Sequence, residues 1–124
     1  MSSNTKLFTV SALIEFTAGL PLIALPSLFI WLLIGVREPS AETLIISRVT
    51  GVALLALALA CWFARKDHGS CSQRGLLFAM LIYNSGACLA LSYAGLLQMI
   101  GIALWPAVIL HAVMAVWLTI KIRA

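Results

Sequence analysis

The stretch LFTVSALIEFTAGLPLIALPSLFIWLL, residues 7–33, decides how the rest of the chain is interpreted. It is a long apolar run that carries one acid, Glu15, and two prolines, Pro21 and Pro26. As a helix it would be about 40 Å long, whereas the hydrocarbon core of a bilayer is about 30 Å thick. We therefore expect a membrane-spanning helix that is kinked at its prolines.

The composition of the whole chain also indicates that lipid surrounds the protein. Hydrophobic residues make up 63% of the 124 residues and charged residues 10%, whereas soluble domains average about 45–50% and about 25%. A soluble core cannot account for this excess, because a domain of this length leaves much of its surface in water. The net charge of +4 is scattered, without the basic stripe of a nucleic-acid-binding protein. We expect a lipid bilayer as the partner and no nucleic acid.

Further apolar runs complete the predicted fold. It is an all-α integral membrane protein: one domain, residues 1–124, in which four transmembrane helices with short loops form a bundle. The predicted spans are about 7–33, 43–64, 75–94 and 102–120. Ser40 is the predicted N-cap of the second span. The third and fourth spans are divided near residues 95–101, where Gln98 is the only polar side chain.

Four-residue spacing places side chains on one helix face, and small residues at that spacing favour close packing. Ser11, Glu15 and Gly19 share one face of the first helix. Ser47 and Gly51 form a pair of small residues in the second span, which favours close packing between membrane helices.

The distribution of basic residues predicts the orientation. With four spans, both termini and the second loop, residues 65–74, lie on one side of the membrane. Arg37 is the single basic residue in the loop on the other side, against six on the first: Lys6, Arg65, Lys66, Arg74, Lys121 and Arg123. The positive-inside rule then places both termini in the cytoplasm. The expected location is the plasma membrane, as in a bacterial inner membrane.

Four polar side chains inside the predicted spans are candidate ligand-binding residues: Glu15, Arg48, Asn84 and His111. An ion at the centre of a membrane helix costs about 2.5–3.5 kcal/mol, so an inward orientation is favoured. Residue counting places Glu15 toward the cytoplasmic end, Asn84 and His111 near the midplane, and Arg48 toward the outer end. The four residues could therefore form a ladder across the bundle.

Each of these residues also has a structural interpretation. The aliphatic part of the Arg48 side chain could extend so that its guanidinium reaches the outer headgroups. Asn84 could join helices, and His111 could be a buried histidine bonded to a carbonyl or hydroxyl. His111 could also ligate haem, but bis-histidine ligation would need a second intramembrane histidine, and the predicted spans contain none. The Glu15 carboxyl must be protonated, paired with Arg48 or His111, or bound to a ligand.

The sequence contains no motif typical of an enzyme or a metal site. G-x-S-x-G, HExxH, a phosphate loop and CxxC are all missing. His68 and Cys71 in the second loop provide too few ligands for a metal. We therefore do not expect an enzyme and assign no cofactor, although Glu15 and His111 could supply acid–base chemistry to a membrane enzyme.

A short four-span chain with a glutamate in its first span resembles the small multidrug-resistance transporters. The resemblance implies that Glu15 corresponds to their membrane-embedded substrate and proton site. It is confined to this residue and the span count. The six-to-one charge bias departs from the weak bias of that family, so the chain is not assigned to it.

Two functional hypotheses follow from the sequence. In the first, the chain is a small inner-membrane protein whose polar site binds or moves a small amphipathic ligand or an ion. Glu15 and His111 would then exchange protons, and the prolines would permit opening. In the second, the chain is a non-catalytic accessory or structural subunit of a larger membrane complex, or a homo-oligomer, which its short loops favour.

Overall fold

The computed structural model describes residues 3–124, apart from the side chain of Ser3, and these residues form five α-helices. The helices are α1 (Ser3–Ala24), α2 (Pro26–Ile34), α3 (Ala41–Ala64), α4 (Cys71–Leu96) and α5 (Leu104–Arg123). The all-α prediction is confirmed. Within the described residues, α1, α3, α4 and α5 are each long and apolar enough to cross a membrane.

The first predicted span is two helices instead of one. Pro21 is accommodated inside α1, whereas the chain breaks at Leu25, whose φ of −134° and ψ of 55° are not helical. The next residue, Pro26, begins α2. A proline ring disfavours a helical conformation at the preceding residue and supplies no N–H to the turn before it. The predicted kink is therefore a complete break, and it lies at the second proline.

Serine caps determine where α3 and α4 begin. The Ser40 side chain accepts a hydrogen bond from the Thr43 N–H at 3.3 Å, as predicted for this N-cap. The Ser70 side chain accepts from the Gln73 N–H at 3.0 Å. Because of this second cap, α4 begins about one turn before the predicted limit of residue 75.

The helices pack as two pairs. Helix α1 lies along α3, and α4 lies along α5, whereas the backbones of the two pairs are further apart and meet mainly through side chains. At the crossing of α1 and α3, a Cβ on Gly51 would lie 2.7 Å from the Gly19 carbonyl oxygen, and one on Gly19 would lie 2.8 Å from that of Gly51. Only hydrogen at both positions permits this approach of the two backbones.

Larger side chains fill the space between the pairs, toward the end that holds the termini. Both pairs contribute to this buried core: Leu7, Phe8, Ala12, Cys61, Leu77, Met80, Met114 and Leu118. The outward faces are apolar and exposed, with Ile82 at 74%, Phe63 at 76% and Ile102 at 84%. A continuous apolar surface of this kind is rare on monomeric soluble proteins.

At the end away from the termini, backbone hydrogen bonds join the two pairs. The Gly101 N–H donates to the Leu33 carbonyl at 3.1 Å, and the Ala103 N–H donates to the Leu32 carbonyl at 2.8 Å. These carbonyls belong to the last turn of α2, which has no helical donors of its own. The turn between α4 and α5 therefore caps α2.

At the opposite end, the side chain of Gln73 organises the second loop. Its Nε2 donates to the Ala64 carbonyl at 3.0 Å and to the Asp67 carbonyl. Its Oε1 accepts from the Gly69 N–H at 3.3 Å and from the Asn4 amide at 3.5 Å. Gln73 belongs to the polar loop predicted at residues 65–74, where an exposed side chain is expected, yet its side chain is buried.

Candidate functional site

Glu15 lies on the buried face of α1. Ser11, Glu15 and Gly19 all face inward, as their spacing predicts, and the Glu15 side chain is only 1% exposed. Its Oε2 has no hydrogen-bond partner within residues 3–124. A buried carboxyl oxygen without a partner is costly and is usually explained by an unseen water, an ion or a ligand.

Tyr83 on α4 and Cys61 on α3 are neighbours of this carboxyl group. The side chains of Tyr83 and Glu15 interact through the tyrosine hydroxyl and the carboxyl group. Tyr83 is not among the site residues predicted from the sequence. The available signal was a tyrosine in the middle of an apolar span, where a buried hydroxyl needs a partner.

Asn84 and His111 form the second part of the site. Asn84 is 1% exposed, and its Nδ2 donates to the Met80 carbonyl at 2.9 Å. A carbonyl only accepts hydrogen bonds, so this contact sets the amide orientation and directs Oδ1 toward His111. His111 Nδ1 lies 2.9 Å from Asn84 Oδ1 and must be the donor. The other imidazole nitrogen, Nε2, is therefore the atom that can accept a proton or a ligand hydrogen bond.

Aromatic packing connects the two parts. The rings of Tyr83 and His111 meet edge to face, with centroids 5.6 Å apart and an interplanar angle of 85°. Glu15, Tyr83, Asn84 and His111 together are called the polar cluster below. Glu15 belongs to the α1–α3 pair and the other three residues belong to the α4–α5 pair, so the cluster lies across the interface between the pairs.

The structure does not bring Arg48 into the polar cluster. The Arg48 side chain is exposed, and its Nε donates to the Ile23 carbonyl at 3.3 Å. Ile23 is in the last turn of α1, where carbonyls have no helical donor because the chain breaks at Leu25. Three of the four residues predicted from sequence therefore lie in one cluster, and the fourth caps a helix end.

The polar cluster consists mainly of hydrogen-bond acceptors. The Glu15 carboxylate and His111 Nε2 accept, and the Tyr83 hydroxyl can do both. Among residues 3–124, no Lys or Arg forms an ion pair or hydrogen bond with Glu15, and no three His, Cys, Asp or Glu residues are grouped to hold a metal. The arrangement can bind a proton or a ligand that supplies donors or positive charge.

Comparison of the chain with protein-family models, with curated proteins and with solved structures gives no match.

Proposed function

We propose that the chain is a small multi-pass membrane protein whose polar cluster binds a small amphipathic ligand or an ion inside the bilayer. The length and apolar character of α1, α3, α4 and α5 support the membrane location. So do their exposed apolar outer faces, which match the solvent properties of lipid.

The proposed location is a bacterial inner membrane, with both termini in the cytoplasm. The six-to-one distribution of basic residues supports this orientation. The tryptophans are consistent with interfaces at both ends of the bundle. Trp62 stacks against Arg65 at the basic end, and Trp31 lies 5.8 Å from the guanidinium of Arg37 at the other.

The single observation that carries the proposed binding function is the Glu15 carboxyl group. It is buried, it has an oxygen without a partner in the described part of the chain, and no positively charged side chain neutralises it. Retaining such a group in a membrane helix is costly unless it has a task. A helix-joining role would instead require that its hydrogen bonds be satisfied by neighbouring helices.

The surrounding atoms define the chemistry of the ligand. Glu15 and His111 Nε2 both present acceptors, so the ligand must supply donors. An apolar environment favours a ligand with an apolar body. A primary ammonium on an alkyl chain meets both requirements, and a proton would occupy the same carboxyl in its absence. Binding of the cation to Glu15 would then displace a proton.

The two helix pairs provide a way to admit the ligand. Glu15 is on one pair, whereas Tyr83, Asn84 and His111 are on the other, and the backbones of the two pairs are further apart than those within each pair. A small separation of the pairs would expose the polar cluster without breaking the Gly19–Gly51 crossing. The break at Leu25 allows the first span to adjust.

The test is calorimetric titration of the purified protein in mild detergent with octylammonium. Wild-type protein should bind it and release protons into weak buffer. Glu15→Gln should weaken binding by about tenfold or more, since a hydrogen bond to a charged group contributes about 1.5–3 kcal/mol. Glu38→Gln is the matched control, because Glu38 is an exposed carboxylate outside the helices.

Two probes separate specific binding from partitioning into the detergent. Octyltrimethylammonium has the charge without an N–H donor and should bind more weakly, and octanol should not compete. Equal binding by Glu15→Gln and wild-type protein would overturn the proposal, as would equal binding of octanol and octylammonium. Octylammonium uptake into liposomes, compared between wild type, Glu15→Gln and His111→Ala, would show whether binding leads to transport.

The accessory-subunit hypothesis is favoured by one observation. The outward faces of α4 and α5 remain largely exposed, so a partner helix could pack on them. Native mass spectrometry of protein extracted from its own membrane in mild detergent decides between a lone chain, a homo-oligomer and a complex. A second chain retained at fixed stoichiometry would support the subunit role.

A further inference from the structure

A cavity at the basic end of the molecule is separate from the polar cluster. It lies between the start of α4 and the end of α5 and has a volume of about 430 Å³. Three cationic side chains line it: Arg74 from α4, and Lys121 and Arg123 from α5. Asn4 of α1 also lines it, so both helix pairs contribute to its wall.

No acidic side chain among residues 3–124 balances the three cations at the cavity, because neither Asp nor Glu is part of its lining. The nearest acidic residue along the chain, Asp67, accepts a hydrogen bond from the Ser70 hydroxyl instead. Three cationic side chains around one cavity, with no acidic side chain beside them, create a positive potential that favours a multiply coordinated anion.

The cavity also continues into an apolar surface. Leu77, Phe78 and Ile122 form part of its lining, and Phe78 is 50% exposed on the outer face of α4. The cavity therefore lies where the apolar part of these helices meets the basic end. A ligand with an anionic head and an alkyl tail matches a cationic cavity beside an apolar surface better than a free anion does.

We propose that this cavity binds the phosphate headgroup of an anionic phospholipid from the leaflet at the basic end. Arg74, Lys121 and Arg123 would contact the phosphate, and Phe78 would lie beside the acyl chain. The proposal rests on the membrane location proposed above but not on ligand binding by Glu15. Inorganic phosphate shares the headgroup chemistry, so the two sources must be distinguished by experiment.

The experiment is native mass spectrometry of the protein released from nanodiscs of equal phosphatidylglycerol and phosphatidylcholine. Wild-type protein should retain one phosphatidylglycerol in preference to phosphatidylcholine. The double variant Arg74→Gln/Lys121→Gln should reduce the retained fraction about tenfold or more. The matched control is Lys6→Gln/Lys66→Gln, which removes the same charge from exposed positions at the same end that do not line the cavity.

Each outcome is decisive. Retention by the control but not by the cavity variant supports the site, with circular dichroism confirming that both variants remain helical. Equal loss in both variants would mean that general surface charge attracts the lipid, and equal retention of the two lipids would mean that no anionic site exists. Displacement of the lipid by millimolar inorganic phosphate would assign the site to free phosphate and overturn the lipid proposal. Failure to insert into nanodiscs would instead contradict the membrane location.

Discussion

The imidazole of His111 is oriented by Asn84, whose Oδ1 lies 2.9 Å from Nδ1 while its Nδ2 is bound to the Met80 carbonyl. Asn84→Leu should leave the Nδ1 donor unpaired in an apolar environment. We expect the unfolding free energy to fall by about 0.6–1.7 kcal/mol, from the average to the largest value for hydrogen bonds between membrane helices. The measurement is unfolding by sodium dodecyl sulfate in bicelles.

A double-mutant cycle isolates this contact. Asn84→Leu and His111→Leu, made singly and together, should show a coupling energy of about 0.6 kcal/mol or more. Strict additivity of the two effects would contradict the inferred hydrogen bond.

The contact of α1 and α3 predicts a strong dependence on side-chain size. In Gly51→Ala the new Cβ would lie 2.7 Å from the Gly19 carbonyl oxygen, so the helices must separate. We expect a loss of about 1–3 kcal/mol, typical of overpacking, in the same unfolding assay. Gly86→Ala is the control, because a Cβ there meets nothing within 4 Å and alanine favours the helix. Equal effects of the two substitutions would refute the close crossing.

The turn between α4 and α5 should tolerate an added side chain even less than the crossing of α1 and α3 does. A Cβ on Gly101 would lie 2.1 Å from the Leu32 carbonyl oxygen, a backbone atom that cannot rotate away. Gly101→Ala should therefore destabilise the protein more than Gly51→Ala does, because the cap on the last turn of α2 is lost. Gly75→Ala, at an open position in α4, is the matched control. Wild-type stability of Gly101→Ala would contradict the contact.

Arg48 should affect stability but not ligand binding. Because Arg48 caps the Ile23 carbonyl and is not in the polar cluster, Arg48→Gln should leave octylammonium affinity within about twofold of wild type. Its unfolding free energy should fall by no more than about 1 kcal/mol, as expected for one exposed hydrogen bond. A loss of affinity like that of Glu15→Gln would show that Arg48 takes part in ligand binding.

The residues that sequence reasoning placed well were those determined by spacing and depth. Ser11, Glu15 and Gly19 face inward because four residues make about one helical turn. Asn84 and His111 meet because two neighbouring antiparallel helices carry them at matching depth. Small residues and buried polar atoms thus leave a periodic signal that one sequence is enough to reveal.

Other residues could not be placed from the sequence. Their positions depend on the direction of the side chain around the helix axis and on local breaks in the helix. Depth counting gives the height of Arg48 but not the direction of its side chain, and the carbonyl that it caps becomes available only because the chain breaks at Leu25. Tyr83 precedes Asn84 by one residue, about 100° around the helix, so no single stripe contains both. Gln73 looked solvated because its neighbours in the loop are polar.

Backbone hydrogen bonds from Gly101 and Ala103 to the α2 carbonyls join the two pairs at one end of the bundle. If the pairs separate while these bonds hold, that end is the pivot, and the buried core toward the other end must part. A helix of about 20 residues would be a lever arm of about 30 Å, so a rotation of about 10° would move its far end by about 5 Å. The cavity lined by Asn4, Arg74 and Lys121 lies at that far end and touches both pairs. A lipid bound there would act with the greatest mechanical advantage against their separation. The lipid composition of one leaflet would then set how often the carboxyl of Glu15 becomes accessible.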